Sequence, residues 1–271
     1  VIKKMNKWDV FIWFDADIRN LEIVKPYLED LAQKQEISIF FINDNFKNLK
    51  SRLEEIWIKN ITWIYYDLWI SSLHVDNADR WFSFKLEWPL DMRFDETKWI
   101  KASDIVNWYK KEELIEIFRD YWEEPASKKI AEAILAERKT WFRFHTTKEL
   151  SDLIAKTSRD HKSRNRIFQA LRIETNDELW VIKESIADAI SLLDKDWDIF
   201  VISFHSLEDR IIKNIFKDES RDCICKDLIC SCKHKKQLKP MTKKPIIPTD
   251  EEIKQNPRSR SAKARYAKKL K

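Results

Sequence analysis

The stretch ITWIYYDLWISSLHVDNADRWFSFKLEWPLDMR, from Ile61 to Arg93, decides how the rest of the chain reads. Its first six residues, Ile61 to Tyr66, are all β-branched or aromatic and predict a buried strand. The run closes at Asp67, and a polar segment with Ser71, Ser72, Asp76, Asn77 and Asp79 follows. In open α/β sheets, ligands bind beyond the carboxyl ends of the strands, so a carboxylate at Asp67 is placed for chemistry. The alternative is an ordinary strand-to-loop junction, where aspartate is common anyway.

Working outward from this stretch, the tryptophans stand out. Trp69, Trp81 and Trp88 occupy places where a turn would want glycine, in Asp-Leu-Trp, Asp-Arg-Trp and Glu-Trp-Pro. Trp197, in Asp-Lys-Asp-Trp-Asp, repeats the pattern before a second apolar run, Trp122 sits in Tyr-Trp-Glu-Glu-Pro, and Trp180 lies between two polar helical stretches. The whole chain has 13 tryptophans and 0 glycines in 271 residues. Ordinary usage of ~7% would give about 19 glycines. A chain of this size needs left-handed backbone positions, which glycine fills without steric cost. The expectation is that most or all of the tryptophans are glycine in the natural protein, as when UGA encodes glycine but is translated as tryptophan.

With glycine at those positions the stretch reads DLGISSLHVDNADRGFSFKLEGPLDMRFD. It closely resembles DLGxSSxQLDxxxRGFSFxxxGPLDMRMD of the 16S rRNA (cytosine-N4)-methyltransferase family, known as RsmH or MraW. Three further blocks follow in that family's order: RIFQALRIETNDEL (Arg166 to Leu179), ISFHSLEDRIIKNIF (Ile202 to Phe216) and NPRSRSAKAR (Asn256 to Arg265). The resemblance spans essentially the whole chain, and four long blocks in order are far more specific than a single short motif.

The resemblance implies an α/β fold: a Rossmann-like, class I, S-adenosylmethionine (SAM)-dependent methyltransferase core with an inserted helical domain. The core is expected at residues 1–75 and 175–271, and the insertion, serving RNA recognition, at 76–174. Local patterns agree. Asp9–Phe14 and Ile37–Ile42 read as strands around a helix at Leu21–Gln35. Amphipathic helices are expected at Ala102–Val106, Glu112–Asp120, Ala126–Arg138 and Lys148–Ile154, and a long helix over Thr175–Leu193 leads into a strand at Asp198–Phe204. A Rossmann half begins with a strand, a glycine-rich turn and a helix, ~30 residues or more. Few residues precede the first strand here, so the first βα unit, which carries the family's GxGGH cofactor turn, is expected to be missing, and Val1 is expected to mark an incomplete gene product.

The activity implied is N4-methylation of a decoding-centre cytidine in small-subunit (16S) rRNA, with SAM as cofactor and the small ribosomal subunit as partner. Asp15, ending a strand, is the candidate for a ribose diol, which two carboxylate oxygens can match; an ordinary helix cap is its alternative. Phe46 is implied against the adenine, and His74 stands where relatives often carry Gln beside the cofactor. Asp67 is expected to serve both cofactor and target base. His205, at the same sheet edge, is the second candidate catalytic residue. Ser206 with Asp209 reads as a helix cap with an acid three residues on.

Arg164, Arg166 and Arg172 gather near the end of the helical segment with His161 and Lys162, and Arg258 and Arg260 lie in the basic carboxyl-terminal stretch. All five arginines are candidates for RNA phosphates; solvated helix-surface charge is the alternative. Cys223, Cys225, Cys230 and Cys232 form C-x-C-x4-C-x-C, a candidate structural zinc site whose x1 spacing is tighter than that of common knuckles; free thiols are the alternative.

The net charge of +5 with 36% charged residues argues against a generic polyanion binder. No apolar run approaches the ~18 residues of a membrane span, and clustered cysteines do not make a disulfide framework for this size. A cytoplasmic protein with no membrane partner is expected, with oligomeric state left open. Three rival readings remain: a catalytically inactive RNA-binding fragment; an amino-methyltransferase acting on another nucleic acid, which would share the core but lack the NADRxFSF, FQALRIE and FHSLEDR blocks; and a purely structural helical protein, which would need no Asp15, Asp67 and His205 at strand ends.

Overall fold

A computed structural model describes residues 2–68, 87–94, 99–225 and 231–270. The chain divides into two compact units, one formed by Val1–Trp69 with Leu179–Lys271 and the other by Ile70–Glu178.

The first unit is α/β. Strand β1 (Val10–Asp15) leads into α1 (Ile18–Gln35), and β2 (Ser38–Asn43) returns parallel to β1. The short helix α2 (Leu49–Glu55) connects to β3 (Ile61–Asp67). Strand β4 (Leu193–Ser203) pairs parallel with β3 and antiparallel with β6 (Lys263–Lys269), whose other edge holds β5 (Leu238–Pro240). The result is a two-stranded sheet, β1-β2, and a four-stranded sheet, β3-β4-β6-β5. Among the described residues neither β1 nor β3 has a strand on its second edge.

Strand alternation decides the faces. Tyr66 is buried, and its hydroxyl donates to the Ser185 carbonyl at 3.0 Å. Burial pushes the Tyr66 pKa well above the ordinary tyrosine value. On the opposite face Trp63, Tyr65 and Phe200 stack in sequence, with centroid spacings of 5.9 and 5.8 Å, and Tyr266 on β6 follows at 6.4 Å. Ile12 and Phe14 of β1 pack on the same apolar cluster as Ile64, Tyr66 and Ile199, while Phe11 and Trp13 pack on a second cluster with Leu28 and Ala32 of α1. Both faces of β1 are therefore apolar, the pattern of a strand from a sheet's interior.

The second unit is helical: α3 (Ala102–Trp108), α4 (Lys111–Trp122), α5 (Ser127–Lys139), α6 (Thr147–Thr157) and α7 (Lys162–Asn176). Their apolar faces meet in one core that includes Phe118, Ile130, Ile134, Leu150 and Ile167. Several buried polar groups are satisfied locally. Asn107 and Phe144 exchange two hydrogen bonds of 2.8 and 2.9 Å, and Arg138 donates to the Tyr109 carbonyl at 2.6 Å and to that of Val106, closing the end of α3. Unpaired, such groups would each cost about 1–3 kcal/mol.

Two boundaries differ from the sequence reading. The helix expected from Thr175 begins instead at Glu178, as α8 (Glu178–Leu192), because Asp177 adopts φ 53° and caps α7. The strand expected from Asp198 begins at Leu193, and a register shift between Ile61 and Trp63 absorbs the extra residues, with φ 67° at Asp196.

Candidate active site

Strand alternation puts Asp67 on the face of Tyr65, opposite Tyr66. The Tyr65 hydroxyl lies near the Asp67 carboxylate, and burial together with that charge raises the tyrosine pKa to about 12. Asp67 itself is exposed, while Tyr66 beside it is anchored by Ser185 of α8. The carboxylate thus stands on a fixed strand end yet reaches solvent.

Asp15 closes β1 in an analogous way. Its carboxylate accepts from the Asp17 amide at 2.9 Å and from the Asn20 amide group at 3.1 Å. Asp17 caps α1, accepting from the Arg19 amide at 3.1 Å. The local cap and the strand end are therefore built from different aspartates, and Asp15 is only partly buried.

Phe46 follows β2, and its ring meets that of Tyr66 edge-on at 5.9 Å and 82°. This contact joins the carboxyl end of β2 to that of β3. β1 runs parallel to β2, and β3 parallel to β4, with Asp15 closing the first strand of one pair and Asp67 that of the other. Asp44, beside Phe46, is held by Arg52 at 2.6 Å and Asn48 at 2.9 Å; burial opposes its charge, but these bonds outweigh it and lower its pKa.

His205 is the residue whose surroundings sequence reasoning described least well. It, not Ser206, caps α9 (Ser206–Asp218): its Nδ1 accepts from the Glu208 amide at 3.4 Å, and Nε2 lies 2.9 Å from Glu208 Oε1. Asp209 is not the reciprocal acid of the cap. It forms a buried two-point pair with Arg265 of β6 at 2.7 and 3.1 Å, fixing α9 to the sheet. Beside His205 lies a cavity of about 300 Å³, lined by Phe204, Ser206, Pro248, Arg260 and Lys263 among others. The fold brings His205 and Arg260 together there, 55 residues apart in sequence.

The other candidate arginines differ among themselves. Arg172 is buried and bonds Glu178 at two points, 2.7 and 2.9 Å. Arg166 reaches Asp160 at 2.8 Å and Glu124 at 3.3 Å. Arg164 is partly buried on α7, and Arg258 is exposed on the turn Pro257–Ser261. Cys223, Cys225 and Cys232 offer sulfurs that all lie within 4.8 Å of one another. The Cys223 and Cys232 sulfurs are 3.9 Å apart, far beyond the ~2.05 Å of a disulfide. His74 and Cys230 lie outside the described residues.

Two features had no local sequence signal: the Asp209–Arg265 pair, joined across 56 residues, and Glu124, which accepts from Ser163 at 2.9 Å. The Tyr65–Asp67 pair had one, since residues two apart on a strand share a face.

A mixed α/β unit with parallel strand pairs closing on carboxylates is consistent with a class I SAM-dependent methyltransferase. The chain matches the MraW methylase family over residues 1–270 and belongs to it. It is 42% identical over 279 aligned residues to the ribosomal RNA small subunit methyltransferase H of Clostridioides difficile, covering 100% of this chain and 88% of the relative. Proteins of the same name from Finegoldia magna and Dehalococcoides mccartyi are 41% and 44% identical, over 96% and 94% of this chain and 84% and 73% of theirs.

Proposed function

We propose that this protein transfers a methyl group from SAM to N4 of a decoding-centre cytidine in the rRNA of the small ribosomal subunit. The observation that carries the reading is the Phe46–Tyr66 contact, which joins two strand ends and so favours Asp15 and Asp67 acting on one ligand. The residues suit the donor: carboxylates accept from a ribose diol or an ammonium group, and an aromatic ring suits adenine. SAM supplies an electrophilic methyl on a sulfonium when bound.

Cytosine N4 is a poor nucleophile because its lone pair is conjugated with the ring. Asp67 accepts a hydrogen bond from the N4 amino group and holds it in line with the methyl; positioning and preorganised charge supply most of the rate. Tyr65 stands beside the Asp67 carboxylate on the same strand face. His205 caps α9 at the adjoining end of β4 and is the second candidate catalytic residue. The target base is unstacked to reach the site. The helical residues 76–174 form the inserted RNA-recognition domain of a core made by 1–75 and 175–271. Arg258 and Arg260 contact phosphates, Arg164 adds a further contact, and Arg166 and Arg172 serve the helical unit's own structure. Among the described residues β1 and β3 each have an edge without a strand, and both faces of β1 are apolar, which supports a further strand beside them.

At the thiol cluster we infer a structural zinc. Zn–S bonds of ~2.3 Å in a tetrahedron place sulfurs about 3.8 Å apart, close to the 3.9 Å found between Cys223 and Cys232. Metal analysis of protein purified without chelator should give one zinc per chain, lost in Cys223→Ser/Cys232→Ser; a metal-free native protein would remove the site.

Isothermal titration with SAM tests the site. Asp15→Ala and Asp67→Ala should each weaken binding about tenfold to a hundredfold, the scale of a charged hydrogen bond. Unchanged affinity in both would reject the assignment.

A further inference from the structure

We infer that glycine occupies the tryptophan positions of the natural chain, so that the codon behind each of them is read as glycine in its own cell. The composition raised the idea; the backbone supplies an independent argument. Trp8, Trp57 and Trp141 have φ of 74°, 63° and 66°. A bulky residue in that region is a genuine outlier, and only a few per cent of all non-glycine residues enter it. Here three of the eleven described tryptophans do so.

Each sits at a position with a defined need for glycine. Helix α2 ends in a Schellman motif, with Trp57 N–H donating to the Glu54 carbonyl at 3.0 Å and Ile58 N–H to that of Leu53 at 2.9 Å. Trp57 is then the left-handed residue just past the cap, where glycine is the usual occupant. Trp141 stands in the same place after α5, past the cap residue Thr140, and donates to the Arg138 carbonyl at 3.1 Å. Trp8 is the third residue of a turn closed by Asp9 N–H on the Asn6 carbonyl at 3.1 Å, the position that takes glycine in a type II turn.

The side chains argue the same way. Trp57, Trp99 and Trp141 are 89%, 94% and 87% exposed, and eight of the eleven described tryptophans are exposed. Tryptophan is among the most buried residues on average. Where the ring is inside, it is poorly served: the indole N–H groups of Trp13 and Trp88 are buried with no hydrogen-bond partner. A buried orphan donor is a cost that buried Trp normally avoids. Neither the exposed nor the buried set behaves as tryptophan selected for its ring. Glycine removes all three anomalies at once.

Peptide mapping of the protein isolated from its own cells is the test. The peptides spanning residues 57 and 141 should each be lighter by the difference between an indolylmethyl group and hydrogen, and the gene should carry the same reassigned codon at all thirteen positions. Tryptophan at 57 and 141 in the natural protein would overturn the inference. A second readout uses the recombinant chain. Replacing Trp8, Trp57 and Trp141 together by glycine should raise the thermal midpoint, while Trp→Ala at the same three positions should not match it. Equal midpoints for the Gly and Ala forms would remove the backbone argument. This is independent of the catalytic proposal, because none of the three positions touches Asp15, Phe46 or Asp67.

Discussion

The helical unit seals its core, whereas the α/β unit leaves apolar strand residues in water. Phe118, Ile130, Ile134 and Leu150 are buried entirely, while Val10, Phe40, Trp63 and Tyr65 are exposed on strands. The difference follows from how each unit closes. A helix meets its own hydrogen bonds and needs only one apolar face covered. A parallel strand needs partners on both edges and cover on both faces. Among the described residues the helical unit buries its core, while the sheet unit pairs β4 on both edges but leaves one edge of β1 and one of β3 without a strand.

Breaking that comparison starts with the sealed core. Phe118→Ala should cost about 3–5 kcal/mol and unfold the helical residues first, read by hydrogen exchange on residues 102–176; uniform loss of protection across both units would show that the units do not fold separately. Asp67→Ala should lower methyl transfer by about 10²–10³-fold without moving the thermal midpoint, since Asp67 is exposed; a destabilised but active variant would make it a structural residue. At the sheet's complete end, Asp209→Ala leaves Arg265 buried and unpaired and should cost about 3–5 kcal/mol, measured by denaturant unfolding.

A smaller effect sharpens the comparison by pH. Asp91, in the helical unit, is opposed by burial but bonded by Arg93 at 2.6 Å and faced by Lys101, which together hold its carboxyl below the ordinary value of 3.8. A depressed carboxyl stabilises above its unfolded value and loses that contribution as pH falls through the folded one. Wild type should therefore lose stability below about pH 4, and Asp91→Asn should flatten that part of the profile. Smallest is Arg260→Ala, which should shallow the salt dependence of rRNA binding by about one unit of slope.

Much of this was legible in the sequence because the information was local. The period of α4 to α6 and the apolar run before Asp67 fix those elements within a few residues. Asp15 and Asp67 could be read as strand ends for the same reason. What was not legible was non-local or depended on backbone angle. The cap at His205 differs from the expected Ser206 by one residue, since Asp209 is drawn away to Arg265 on a strand 56 residues later. Arg172 reads as surface charge until α8 brings Glu178 under it. The start of α8 depends on φ at Asp177, which no periodicity reveals.

The most direct test of the account is transfer of a tritiated methyl from SAM to small ribosomal subunits, using the glycine-bearing protein. The account predicts one labelled cytidine, methylated at N4, and loss of label with Asp67→Ala. No transfer by that form, or full transfer without the Asp67 carboxylate, would contradict it.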